Sequence, residues 1–237
     1  LLLEDCGELR AHARVQQAHA RGELTLPRDR VLFFQGVRAG EVILNMSRVV
    51  QRRSTDAREL SLAEAEGRAQ ADEILSFLRS SIDGFQSAYL IETGAAIGIR
   101  ESRHIVGQYT LTERDILTCA QFDDAVAMCG FPIDIHDPLG KELHWTQTDT
   151  ASCYDVPYRV MLPESLSNLL VTGRCVSATH EAAASVRITP TAMALGEAAG
   201  IAASLAQDGD VRGVEISHLQ ARISAQGGVP GRRFLRD

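Results

Sequence analysis

The sequence predicts a mixed α/β chain of the α+β kind, and three observations carry the prediction. Short apolar or β-branched runs bounded by glycine mark strands, first at Val31–Phe34 and Val42–Asn45. Capping residues open apolar-periodic segments at Ser61, Thr112 and Thr189, which marks helices. Apolar residues make up 45% of 237 and charged residues 23%, enough for a core without disulfides or a structural metal. The length fits one large domain or two unequal ones. This composition excludes disorder, collagen and coiled coil. No run approaches the roughly 20 apolar residues of a membrane span, and no secretory signal is present.

Residues 1–21 are polar with Leu and Ala at helical intervals, a first helix. Gly22 and Pro27 punctuate the chain after it, and Gly36 and Gly40 separate the two strands. Ser61 with Glu64 forms an S-x-x-E capping box for a helix carrying Ala65, Ala69, Ile74, Leu75 and Leu78 and stopping at Gly84. Tyr89–Ile91 and His104–Leu111 read as strands flanking a turn at Gly94 and Gly98, and Thr112 with Asp115 caps a short helix. Residues 121–157, with Pro132, Pro138, Gly140 and Pro157, read as a long loop, a feature usually kept for function. Arg159–Leu162 is a further strand. Leu169–Arg174 reads as a buried strand ending in a tight turn. Thr189 as N-cap and Pro190 at the first helical position open a helix to about Gln207, ended by Asp208-Gly209. The last helix, capped by Ser217, turns Leu219 and Ile223 inward and stops at Gly227-Gly228.

Charge and cysteine usage narrow the function. The net charge of −7 comes without a basic stripe, so nucleic acid and anionic membranes are excluded as partners. Five cysteines without a CxxC pair read as reduced thiols in a cytoplasm. The first residue is Leu1, not Met, which reads as the downstream part of a longer protein.

The helix from Pro190 is built of small residues, with Gly196 and Gly200 among alanines. Each mid-helix glycine costs about 1 kcal/mol relative to Ala, so either tight core packing or a close ligand is expected there. A helix N-terminus suits an anion or an electron-rich ring oxygen, and Arg174 and Arg187 add positive charge nearby. A strand–Gly–Arg turn at a strand's carboxyl end points to a cofactor site.

Three blocks of residues then resemble a known family. The first is Gly173-Arg174-Cys175-Val176-Ser177-Ala178-Thr179-His180-Glu181, Ser185-Val186-Arg187, Pro190, Met193 and Gly196-Glu197-Ala198-Ala199-Gly200. The second is Glu92-Thr93 with Gly98-Ile99-Arg100-Glu101-Ser102-Arg103-His104-Ile105-Val106-Gly107; the third is Phe122-Asp123-Asp124-Ala125 with Pro132-Ile133-Asp134-Ile135-His136-Asp137-Pro138. Together they resemble the FAD-dependent oxidoreductase family, of the glutathione-reductase-type FAD fold. The family's opening GxGxxG turn does not occur in these residues. The resemblance therefore implies a downstream fragment, with residues 1–165 as a substrate-side domain and 166–237 as the last flavin-contacting strand and helix plus the terminal helix. The expected partners are a small-molecule substrate, an upstream dinucleotide-binding half of the same protein, and a second copy in a homo-oligomer. The fragment is not expected to hold FAD, or to act, alone.

The resemblance also implies roles. Gly173 and Arg174 would meet the flavin's ribityl–phosphate linker. The start of the helix at Pro190, with the N–H groups of Thr191, Ala192 and Met193, would face the pyrimidine oxygen, supported by Arg187. His180 is the candidate proton acceptor for oxidation of a C–H bond by hydride transfer, and Arg100 or Arg103 the clamp for a substrate carboxylate. The plain alternatives are a loop His bonded to backbone, a strand Arg paired with Glu92 or Glu101, and Arg187 in a surface ion pair with Glu181 or another acid. Two readings compete with the enzyme as a whole: a non-catalytic scaffold or interface fragment, and a metal-dependent hydrolase using Asp134, His136 and Asp137. The metal reading is weak, because alternation sends Asp134 and His136 to one face and Asp137 to the other.

Overall fold

Helix α1 (Cys6–Ala20) and the long helix α2 (Ala57–Ser81) bury one face each and leave the other polar, and this pattern organises the first of two compact units. The computed structural model describes residues 6–136, 143–146 and 153–235. The units are Leu1–Ile99 with His136–Glu142, and Arg100–Ile135 with Leu143–Asp237. Six helices and three two-stranded sheets among the described residues make the chain mixed α+β.

In the first unit, strands β1 (Leu32–Gln35) and β2 (Val42–Asn45) form an antiparallel hairpin in which Phe34 faces Ile43 across the ladder. Alternation turns Phe33 and Leu44 toward the core and leaves Phe34 and Ile43 exposed. Val15, Ala18, Leu24, Leu26, Val31, Met46, Ile74, Phe77 and Leu78 fill that core. Helix α2 starts a turn earlier than the Ser61 box predicts. Asp56 is its N-cap and accepts from the N–H groups of Arg58 (2.9 Å) and Glu59 (3.1 Å). Its carboxylate satisfies two orphan donors and matches the helix dipole, while the Ser61 hydroxyl donates to the Ala57 carbonyl inside the helix. Tyr89–Ile91 is not a strand. The segment after it is held by side chains of α2 instead, with the Ile97 N–H donating to Glu64 and Arg68 Nη1 donating to the Thr93 hydroxyl oxygen.

In the second unit, Thr112 and Asp115 form the predicted capping box at α3 (Glu113–Leu117). The region read as a long loop contains strands: β3 (Ala125–Cys129), β4 (Ile133–His136), β5 (Leu143–Thr146) and β6 (Tyr154–Pro157). β3 pairs antiparallel with β6 across a bulge between Ala125 and Ala127, and β4 pairs with β5. β3 is apolar throughout, so it lacks the alternation that marks a half-buried strand, and the surrounding prolines hide its partner. Arg159–Leu162 is not a strand; Tyr158–Met161 form a 3₁₀ turn. Leu169–Arg174 is not one either: among the described residues the Val171 N–H to Met161 carbonyl bond (2.9 Å) is what ties its backbone to a distant segment, and the chain enters a 3₁₀ turn at Gly173–Cys175. His104–Leu111 runs extended beside residues 175–179 without forming a ladder. The N–H groups of Ile105 and Leu111 donate to the Cys175 and Ser177 carbonyls, and that of Thr179 donates to the Leu111 carbonyl.

Helix α4 (His180–Val186), capped by Thr179, occupies a stretch read as polar loop. Helix α5 (Thr189–Leu205) has Ile188, not Thr189, at its N-cap, with Pro190 in its first turn. α5 packs on β3 and on α6 (Ile216–Ala225) through Leu195, Ala198, Ile201 and Ala202. Glu215, rather than Ser217, caps α6, and Leu219 and Ile223 are buried as predicted. Gly196 and Gly200 are exposed, and no described atom lies within 4 Å of a Cβ built on either. Within the described residues, the close packing expected at these glycines is absent.

Candidate functional site

Three segments distant in sequence converge in the second unit: residues 100–104, the strand β4, and the turn and helix from Gly173 to Arg187. His180 is the first residue of α4, whose start the Thr179 hydroxyl fixes through the Ala182 N–H. Its Nδ1 lies 2.6 Å from Glu101 Oε2, and its side chain is 60% exposed. The other oxygen of Glu101 faces His104 Nε2 at 3.1 Å, and His104 Nδ1 donates to the Val176 carbonyl at 2.9 Å. One carboxylate thus bridges two imidazoles, with the inner one tied to backbone.

A second set adjoins it. Arg100 Nη1 contacts Asp134 Oδ2 at 3.3 Å, and Arg187 Nη2 donates to the Asp134 main-chain carbonyl at 2.9 Å. Burial lowers the Arg187 pKa, and the positive charge of Arg100 lowers it further; Asp134 and Glu101 pull the other way. A guanidinium that is both half-buried and repelled by its neighbour is stabilised by an incoming anion. Glu181, beside His180, has its pKa lowered by its own N–H, by the Thr179 hydroxyl and by His180.

The structure brings His180, Arg100 and Arg187 together and leaves Arg103 apart, exposed and without a partner among the described residues. Arg100 pairs with Asp134, not with Glu92 or Glu101, and Arg187 pairs with a backbone carbonyl, not with Glu181. Glu101, His104 and Asp134 complete the set; sequence reasoning missed the first two as site residues and reached Asp134 only as a metal-ligand candidate. The signal for the first two is the run Arg100-Glu101-Ser102-Arg103-His104, four charged or titratable groups in five residues.

The flavin-facing candidates gather at α5. The Gly173–Cys175 turn, with Arg174 exposed, packs against this helix. Gly173 has φ +69°, the left-handed region open to glycine, and the space where its Cβ would stand holds no atom within 4 Å. At the helix start the N–H of Ala192 is taken up by the Ile188 carbonyl (3.0 Å), and Pro190 has none. The donors left without an acceptor among the described residues are those of Thr189, which is exposed, and Thr191, which is buried. Met193 is 70% exposed. An open glycine turn beside an uncapped helix start fits the ring and linker end of FAD; a pyrophosphate-gripping GxGxxG turn is not among these residues.

Of the metal candidates, Asp134 and His136 share β4, while Asp137 lies outside the described residues. No group of three metal-ligating side chains gathers among the described residues. No helix among them is long and apolar enough to cross a membrane.

Comparison with curated proteins and with solved structures gives no match. A family model does match, over residues 4–223: that of the FAD dependent oxidoreductases.

Proposed function

Because this chain belongs to the FAD dependent oxidoreductase family, we propose that it supplies the substrate-binding and flavin-facing part of an enzyme that moves a hydride between a small organic anion and FAD. Family membership gives the redox role and the flavin. The observation that carries the finer reading is the convergence of a carboxylate-backed histidine, His180, with two guanidiniums, Arg100 and Arg187, within one unit.

Each residue then has a task. Arg100 holds the substrate anion, exchanging part of its hold on Asp134 for it, and Arg187 supports the flavin's pyrimidine oxygen. His180 takes the proton from the substrate O–H or N–H next to the carbon being oxidised. Thr189, Pro190, Thr191, Met193 and the Gly173-Arg174 turn hold the flavin, with N–H donors at the helix start directed to its ring oxygen. Bound FAD supplies the hydride acceptor, chemistry that no side chain here provides. The exposed small-residue face at Gly196 and Gly200 leaves room for another segment to pack on α5, and a GxGxxG-bearing one is the proposed occupant.

Two variants of the FAD-loaded protein test this. Arg187→Ala should weaken flavin retention. His180→Ala should retain flavin and slow its reduction by about 10²-fold or more, the low end of general-base contributions. Unchanged flavin content and unchanged reduction in both would overturn the assignment.

A further inference from the structure

We propose that Glu101 is the positioning residue for His180, and that His104 fixes Glu101 in that task. The trio presents His180 with a proton on Nδ1 and a bare lone pair on Nε2. The functional consequence rests on reading His180 as the proton acceptor; the positioning itself stands on geometry alone.

The protons of the trio can be counted. The Val176 carbonyl can only accept, so His104 Nδ1, 2.9 Å away, carries hydrogen. His104 Nε2 at 3.1 Å and His180 Nδ1 at 2.6 Å each face a different oxygen of Glu101, and each contact needs one proton to be a hydrogen bond. With both rings neutral, the proton on His104 Nδ1 meets the Val176 carbonyl and the proton on His180 Nδ1 meets Glu101; the contact at His104 Nε2 closes as a hydrogen bond when a third proton enters between that ring and the carboxylate. His180 Nε2 needs none of them.

The opposite tautomer puts a ring lone pair 2.6 Å from a carboxylate oxygen, which is repulsive. The hydrogen bond at one ring nitrogen therefore decides the state of the other. Exposure grades the trio in the same sense: the side chains of His104 and Glu101 are 19% and 23% exposed, that of His180 60%. The outer ring meets substrate, and the inner pair holds it still. A substrate proton accepted at His180 Nε2 would make the ring an imidazolium already facing a carboxylate.

His104 has a second consequence. Its Nδ1 is pinned as a donor, so in Glu101→Gln a neutral His104 offers Nε2 as an acceptor. The glutamine NH₂ must then turn toward His104 and its oxygen toward His180. The variant thus keeps the Nδ1–H tautomer although its charge is gone, which a simple ion pair does not predict.

The test is ¹⁵N NMR of the histidine rings in the full chain without flavin, with His180 assigned by loss of its signals in His180→Asn. The wild-type protein should show His180 protonated at Nδ1 and bare at Nε2. Glu101→Gln should keep that pattern, and Glu101→Ala should shift His180 to Nε2–H. The double variant Glu101→Gln/His104→Ala should lose it again, because nothing then selects the amide orientation. Wild-type His180 protonated at Nε2, or a tautomer indifferent to Glu101→Ala, would overturn the proposal. A second readout separates it from the functional reading. In the FAD-loaded enzyme Glu101→Ala should slow flavin reduction about tenfold or more with KM little changed. A correct tautomer combined with normal reduction in His180→Ala would sink the proton-acceptor reading and leave the positioning intact.

Discussion

Ser185 sits in the last turn of α4, two residues before Arg187, and its removal has a calculable cost. Its hydroxyl donates to the Phe131 carbonyl at 2.5 Å, which uses its single proton. Tyr154, 2.8 Å away, must therefore be the donor in the second contact. Both residues are buried. Ser185→Ala removes one hydrogen bond, worth about 1 kcal/mol, and leaves the buried Tyr154 hydroxyl only the weak sulfur acceptor of Cys129, at about 1–3 kcal/mol. Better helix propensity returns about 0.5 kcal/mol, for a net loss of about 1.5–3.5 kcal/mol. Tyr154→Phe leaves the Ser185–Phe131 bond in place and should cost about 1 kcal/mol. The double variant strands no hydroxyl, so it should cost less than the sum of the singles by about 1–2 kcal/mol. Urea unfolding of the four proteins measures this, with equal slopes showing a common unfolding reaction. Strict additivity, or a Ser185→Ala loss below about 0.5 kcal/mol, would refute the proton assignment in this network.

Three further perturbations have defined outcomes. Burial, reinforced by Asp210, pushes the Tyr158 hydroxyl up to about 12, so between about pH 10 and 12 the folded chain keeps a proton the unfolded chain has lost. Stability should therefore fall as pH rises through that window, by at most about 2.7 kcal/mol from this group. Tyr158→Phe should flatten the fall, as read by denaturant midpoints at about pH 9 and about pH 12. Asp124 accepts from the Arg159 main chain (3.2 Å), Nε (2.8 Å) and Nη2 (3.1 Å). Because Arg159 is 43% exposed, Asp124→Ala should cost only about 1–2 kcal/mol, with Asp124→Asn in between. A Cβ on Gly107 would lie 2.6 Å from that of Ser177, so Gly107→Ala should cost about 1–3 kcal/mol by overpacking. Gly173→Ala, strained in φ but facing open space, should cost about 1 kcal/mol; thermal unfolding ranks the two.

What the sequence made legible is what depends on neighbours along the chain. The Thr112–Asp115 box, the β1–β2 hairpin, the Pro190 helix and the inward face of α6 are set by residues within one turn or two strands of each other. What it hid depends on partners far away. β3 is uniformly apolar because α5 covers it, and its mate β6 lies beyond a proline-rich stretch. Leu169–Arg174 is apolar enough for a strand, yet among the described residues it finds no ladder to join. The site divides in the same way. His180, Arg100 and Arg187 stand out in the family motifs, while the acids that orient them are visible only once segments 79 and 34 residues apart meet, Glu101 with His180 and Asp134 with Arg100. Asp56 displaced Ser61 as the cap of α2 because a nearby carboxylate satisfies two donors, a competition that motif spacing does not express.

The most direct test of the flavin-binding role is a visible absorption spectrum of the purified complete protein, desalted after incubation with FAD, for the wild type and Arg187→Ala. A retained flavin band is expected in the wild type and a diminished one in the variant. A colourless wild-type protein would contradict that role.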